Sequence, residues 1–397
     1  MSTSPRPSRG ITRRSLLRSG SGLALGAGLA VGAGVAGATP AAATNGVGQT
    51  GAPLCQQPGD SASRVGLGSG DLAIPYYREH DNTWGYVFGD SFDSANTYLG
   101  SPVMLNQASY DPSGSPISFT WAMPDGRATQ LFDYAHNADN GYGTESTRIP
   151  NDCIEFGGRT YLQYTSVVHG IGGDPLPAGE DGSLMSGVAY SDDHGRTWTD
   201  YPYHWAGQYQ GVNQSMYGMW SFAGIDPDGW LYIFSKRWNG THKNTADQGA
   251  IQLFRINPGD FRAGNFGAQQ NWAYNGGWYW ATDGTPPASL FGPGNNIGEF
   301  SVKRIGDRYC MSCFDVTDGA ISTRSAARPD AVWSAPTPQI VGSNAWPPTH
   351  WGRPQVENLY GGYIHPGSAG PNSLTLIVSQ WTAQGAYRVL QFDGITA

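Results

Sequence analysis

Charged side chains are scarce, with Asp, Glu, Lys and Arg making up only 14% of the 397 residues. A coiled coil or helical bundle needs many more, along with Ala and Leu, so that class is excluded. A basic excess is also missing: 23 Lys and Arg stand against 31 Asp and Glu, a net of −8. Nothing in that balance suggests a nucleic-acid partner. Cysteine is limited to four positions, and the eight histidines are scattered without a closely spaced His/Cys set. No catalytic zinc is therefore expected, and no cofactor is required. What is abundant is 57 Gly, 21 Tyr and 14 Trp, an aromatic content of 12%. So much apolar surface argues against disorder. Many short strands joined by Gly/Pro turns fit best, and the expected class is all-β.

The first 43 residues read as an address. Thr12-Arg13-Arg14-Ser15-Leu16-Leu17-Arg18 resembles the twin-arginine export signal, and a Gly/Ala/Leu/Val stretch follows it. Ala41-Ala42-Ala43 is a small-residue cleavage site, with Ala36-Gly37-Ala38 as an alternative. Eight glycines before residue 44 make the stretch too weakly hydrophobic for a good membrane anchor. Cleavage removes five basic residues and no acidic ones, leaving 18 against 31 and a net of −13. A secreted, acidic protein is expected, free of the membrane after cleavage. Residues 44–60 read as a flexible linker, and 61–397 as one catalytic domain.

That domain repeats one pattern. Five segments combine a turn with an alternating aromatic or β-branched strand, beginning at Asn82, Gly158, Gly229, Gly306 and Asn372. Short apolar strands precede several of them, clearly so at Asp152–Phe156, Ser221–Ile225 and Phe300–Ile305. Each unit reads as a hairpin followed by outer strands, which is the pattern of a propeller blade. The expected fold is a single five-bladed β-propeller. Ser191-Asp192-Asp193-His194-Gly195-Arg196-Thr197-Trp198 also matches the Asp-box pattern of sialidase-like propellers. Turn stapling by Asp193 outweighs catalysis there. Cys310 and Cys313 lie three apart on an apolar strand and point to opposite faces, so they read as buried hydrophobes.

In a blade, the start of the first strand and the end of the second share one face. Asp71 begins the first inner strand, Gly70–Tyr76, and Asp90 ends its returning partner. Asp152 and Glu299 occupy similar inner-strand starts further along. One protonated acid and one ionised base are what glycoside cleavage needs. Each has a bland alternative: Asp90 as a turn residue, Asp71 as a loop cap. Trp220 and His365 are expected to line subsites, with Asp152 and Glu299 tuning charge or gripping hydroxyls. Inner-strand acids also leave room for a structural Ca²⁺ or Na⁺.

The stretches Phe88-Gly89-Asp90-Ser91-Phe92, Ile149-Pro150-Asn151-Asp152, Ile305-Gly306-Asp307-Arg308-Tyr309 and Tyr360-Gly361-Gly362-Tyr363-Ile364-His365-Pro366-Gly367-Ser368 resemble a secreted actinobacterial family, once catalogued as a domain of unknown function and assigned as endo-D-arabinanases. The resemblance runs from about Gly66 to the C-terminus. It implies a five-bladed propeller that cuts internal α-D-arabinofuranosyl bonds of arabinogalactan and lipoarabinomannan; a monomer is expected. The family's pair of essential aspartates corresponds to Asp71 and Asp90. Two other readings stand beside it. Arg148-Ile149-Pro150 resembles a sialidase motif, with Arg237, Arg304 and Arg353 available by count for a carboxylate-gripping cluster. A non-catalytic sugar-binding propeller would use the same aromatics.

Overall fold

A computed structural model describes residues 52–54, 61–111, 116–139, 141, 143–168, 182–207, 216–238, 250–292, 296–342, 353–382 and 386–397. The signal segment 1–43 and most of the linker, with Cys55, lie outside the described residues. Strands dominate the described residues, and the α-helix among them, Pro258–Arg262, spans 5 residues.

Among the described residues, five large sheets follow one another. Their first strands are Ile74–Arg78, Thr147–Phe156, Met219–Ile225, Ile297–Ile305 and Leu359–Ile364. Each pairs antiparallel with a second strand: Thr83–Phe88, Arg159–Val167, Leu231–Lys236, Arg308–Asp315 and Leu374–Trp381. These second strands are the five repeated segments of the sequence. Two-residue turns, 157–158 and 306–307, join the second and fourth pairs, and longer connections join the others, up to 365–373 in the fifth. Gly157 and Gly158 both adopt left-handed backbone, with φ of 59° and 76°, and make a two-residue turn whose twist suits the flanking strands.

The first strand of each sheet packs beside that of the next, and the fifth packs back against the first. Buried clusters fill the gaps between neighbours. Tyr86 and Phe88 of the first sheet meet Ile377 and Val389 of the fifth. Val87 and Met104 of the first meet Leu162 and Met185 of the second. Val188 meets Phe222 and Phe254 between the second and third. Ile305 and Ile321 of the fourth meet Ile364 and Leu376 of the fifth. With apolar neighbours on both faces, second strands are buried along nearly their whole length, as in Arg159–Val167. The segment Ala52–Pro53 pairs with Tyr387–Ile395 as the outermost strand of the fifth sheet, so the start of the domain is stitched to its end.

The Asp box forms the turn between Ser183–Ser191 and Thr199–Asp200. Asp193 Oδ1 accepts from Thr197 N–H at 2.8 Å and Arg196 N–H at 3.1 Å, and Oδ2 from the Thr197 hydroxyl at 2.7 Å. It is a staple. Cys153, Cys310 and Cys313 are free and buried. Cys310 joins the core between the fourth and fifth sheets, while Cys313 faces the cluster shared with the third. Burial pushes both thiols up to about 12.

Candidate active site

Asp71 does not begin the first inner strand, contrary to the sequence reading. Ser69–Gly70 instead pairs with Ser91–Phe92 in a small separate sheet, and the inner strand starts at Ile74. Between them, Leu72 and Ala73 take left-handed backbone with φ of 72° and 52°. For non-glycine residues such conformations cost about 1–3 kcal/mol each and persist only when the surroundings enforce them. Here Leu72 N–H donates to Ser379 Oγ of the fifth sheet at 3.0 Å, and Ala73 N–H to Asp71 O at 3.0 Å. The kink sets Asp71 against the returning chain. Its N–H reaches Asp90 O at 3.3 Å, and Gly89 N–H donates to Asp71 O at 3.1 Å. Both aspartates are buried, Asp71 at 0% and Asp90 at 2% exposure.

Asp90 is oriented by side chains from two sheets. Its Oδ1 accepts from the Thr147 hydroxyl at 2.9 Å and the Tyr98 hydroxyl at 3.2 Å. Burial, chiefly, and the nearby Asp90 charge hold the Tyr98 phenol far above its ordinary range, so it stays a neutral donor. Tyr98 packs at 5.3 Å against both Phe92 and the edge of His136. Phe92 in turn stacks near Tyr387 at 6.2 Å. Aromatic rings thus wall the aspartates on the side of the fifth sheet.

Because paired strands are antiparallel, first strands begin and second strands end at this same end of the sheets. Glu299 is half-buried near the start of Ile297–Ile305, where the register shifts between Ile297 and Phe300. Two groups escaped the sequence reading. Asp315 ends the second strand of the fourth sheet, paired with Ile297. Burial holds its carboxyl above the usual range, even though it accepts Thr317 N–H at 3.0 Å and Asp318 N–H at 3.3 Å. Lys236 ends the second strand of the third sheet, fully buried, its Nζ donating to Arg237 O at 3.1 Å. Alignment of the five repeated segments at their C-terminal ends would have flagged both.

Three expected site residues belong elsewhere. Asp152 lies within its strand, which begins at Thr147. Its carboxylate receives Lys303 Nζ at 2.6 and 2.9 Å, the Ser221 hydroxyl at 2.8 Å, Phe222 N–H at 2.8 Å and Cys153 N–H at 2.8 Å. That is a buried hub tying three first strands, with little left for a sugar hydroxyl. Trp220 is 1% exposed among Trp205, Phe254 and Phe266, between the second and third sheets. Its ring is core. His365 follows the last residue of a first strand, which puts it at the opposite end from Asp71. It is fully buried beside Tyr86, Tyr110 and Trp84.

Comparison with known proteins fits this single repeated unit. The profile of a domain of unknown function, DUF4185, matches residues 56–393. The chain belongs to this family. Notoamide biosynthesis cluster protein J' of Aspergillus versicolor is 30% identical over 359 residues, covering 84% of this DUF4185 chain and 89% of the relative. Among solved structures, a candidate hydrolase from Bacteroides ovatus is similar with a TM-score of 0.53 at 12% identity, covering 83% of this chain and 87% of that one. A GH43_1 enzyme from Xanthomonas citri overlays more loosely, at a TM-score of 0.46 and 11% identity, covering 87% and 91%. At such identities the Bacteroides likeness is one of fold alone.

Proposed function

We propose that the five sheets are the blades of a five-bladed propeller, and that this DUF4185 chain is a glycoside hydrolase. Its substrate is D-arabinan, cut at internal α-D-arabinofuranosyl bonds. The observation that carries the reading is the kink that joins the backbones of Asp71 and Asp90, both buried, at one end of the sheets. Two carboxyls at one place can divide the labour of acid and base. Asp90, held by Thr147 and Tyr98, serves as general acid, and Asp71 as general base to water. Inversion follows if the carboxyls stand far enough apart to admit that water. Glu299 and Asp315 add negative charge at the same end, suited to an oxocarbenium-like transition state. The chain leaves the cell by the twin-arginine route and acts as a monomer on polysaccharide.

The sialidase reading is less well supported. Arg148 would have to grip a substrate carboxylate, but its guanidinium already meets Glu145 at 2.8 Å and Asp200 at 2.9 Å. It also packs over Tyr134 and Tyr164 at 4.8 and 4.9 Å. The deciding experiment compares purified D-arabinan with sialosides, using wild-type protein and the Asp71→Asn and Asp90→Asn variants. Arabinan should be cut into oligosaccharides by wild type only, and sialosides left intact. Near-normal turnover by either variant would remove that residue from the mechanism. Proton NMR of the first product reads the stereochemistry.

A further inference from the structure

At the far end of the first two sheets stands a group of side chains that glycoside cleavage does not use. His80 sits in the hairpin between Ile74–Arg78 and Thr83–Phe88, five strand residues from the Asp71 kink, or roughly 17 Å at strand rise. Glu155 is the penultimate residue of Thr147–Phe156. His194 occupies a position of the Asp box that the staple leaves free. One nitrogen from each imidazole and one Glu155 oxygen all lie within 4.8 Å of one another. The two rings stack at 3.6 Å with 14° between planes.

We infer that His80, Glu155 and His194 form a binding site for one divalent transition-metal ion of the zinc class. The Glu155 side chain is 0% exposed, and its Oε1 lies 2.8 Å from His80 Nδ1. The same oxygen accepts His80 N–H at 2.9 Å, while Oε2 takes the Thr160 hydroxyl at 3.1 Å. His194 Nδ1 is buried without a hydrogen-bond partner. A buried nitrogen lone pair or N–H in that state costs free energy, which a metal ligand bond would relieve. Two imidazoles and a carboxylate suit zinc, nickel or cobalt better than calcium or magnesium, which prefer all-oxygen shells.

Proton bookkeeping closes without a lost charge on His80. Arg78 Nη2 stands 3.0 Å from His80 Nε2, so the metal-free ring carries its hydrogen on Nδ1, donated to Glu155. Metal binding takes the Nδ1 lone pair, and the hydrogen moves to Nε2, which gives up its bond from Arg78 and donates to Asp81 Oδ2 at 3.1 Å, while Arg78 Nη2 keeps its own 3.1 Å bond to that oxygen. A carboxylate behind a ligating imidazole is the usual support for such a ligand. The parallel stack requires one ring to turn about its Cβ–Cγ bond so that both nitrogens face the ion. Bound there, the ion would clasp the first sheet's hairpin to the second sheet, away from Asp71 and Asp90.

The test uses untagged, metal-stripped protein and reads binding and stability rather than hydrolysis. Titration with Co²⁺ should give a visible ligand-field band saturating at one equivalent. Micromolar Zn²⁺ should raise the unfolding midpoint by several degrees, and Mg²⁺ should not. His194→Asn keeps the left-handed backbone that Asn tolerates and should weaken binding by about 100-fold. Glu155→Gln should do likewise, and circular dichroism checks its fold. No Co²⁺ band and no Zn²⁺ shift in wild type would overturn the inference. So would wild-type affinity in His194→Asn.

Discussion

The carboxylate of Asp71 occupies the space that a β-carbon on Gly89 would fill, with Oδ1 in the way. A side chain at 89 cannot be added without moving Asp71. The Gly89 position needs no unusual φ, so its requirement is one of close approach. Gly89→Ala should therefore leave the fold in place but displace the Asp71 carboxylate. Displacement of about 1 Å can cost 100-fold when catalysis depends on placement. Arabinan kcat/KM should fall by at least that much, while circular dichroism stays unchanged. Full activity in Gly89→Ala would remove Asp71 from the machinery.

Thr147 comes from the second sheet and Asp90 from the first, so their 2.9 Å hydrogen bond couples two sheets at the site. Thr147→Val deletes the donor while keeping the shape. A hydrogen bond to a protonated, neutral carboxyl is worth about 0.5–1.5 kcal/mol net. The expected drop in kcat/KM is roughly 2- to 10-fold. Tyr98→Phe removes the longer 3.2 Å bond and should cost less. Thr147→Ser keeps the hydroxyl and should restore most of the activity. Equal rates in Thr147→Val and wild type would mean that Asp90 orientation does not matter.

The sequence carries the strand pattern well and the side-chain partners poorly. Alternation and turn residues are local, so the second strands from Thr83, Arg159, Leu231, Arg308 and Leu374 stand where the repeats put them. The Asp71 kink is not local. Leu72 and Ala73 have no turn chemistry, and the Leu72 N–H is held by Ser379, some 300 residues away. Asp152 looked like a site acid because nothing near it in sequence reveals Lys303 as its partner. Trp220 illustrates the same limit, since an aromatic ring at a sheet gap and one at a sugar subsite share one residue type.

Asp152 and Lys303 bear on stability rather than sugar. Both are buried, and the ammonium touches both carboxylate oxygens. Lys303→Met would leave a buried carboxylate without its cation, a loss of about 3–5 kcal/mol. The double variant Asp152→Asn/Lys303→Met should recover part of it. Urea unfolding of the three proteins measures this directly. If Asp152 gripped substrate instead, Asp152→Asn would raise KM and leave the urea midpoint where it was.

His365 gives the molecule a defined pH response. Its Nδ1 accepts Gly367 N–H at 3.0 Å, so the hydrogen sits on Nε2, 2.9 Å from the Tyr86 hydroxyl, which donates onward to Gln107 at 2.7 Å. That chain is complete with a neutral ring and has no acceptor for a second hydrogen. Burial accordingly lowers the imidazole to about 3, against about 6.5 in an unfolded chain. Below pH 6.5 the unfolded state takes up a proton that the folded state refuses. The stability contributed by the neutral ring is whole above that value and drains away as pH falls towards 3. The slope from this one residue approaches about 1.4 kcal/mol per pH unit. His365→Gln cannot titrate, so its unfolding free energy should depend less steeply on pH. It should start below wild type at pH 7.5 and close the gap by pH 4.5. Urea unfolding of both proteins across that range reads the difference, and parallel curves would show that His365 is not held neutral.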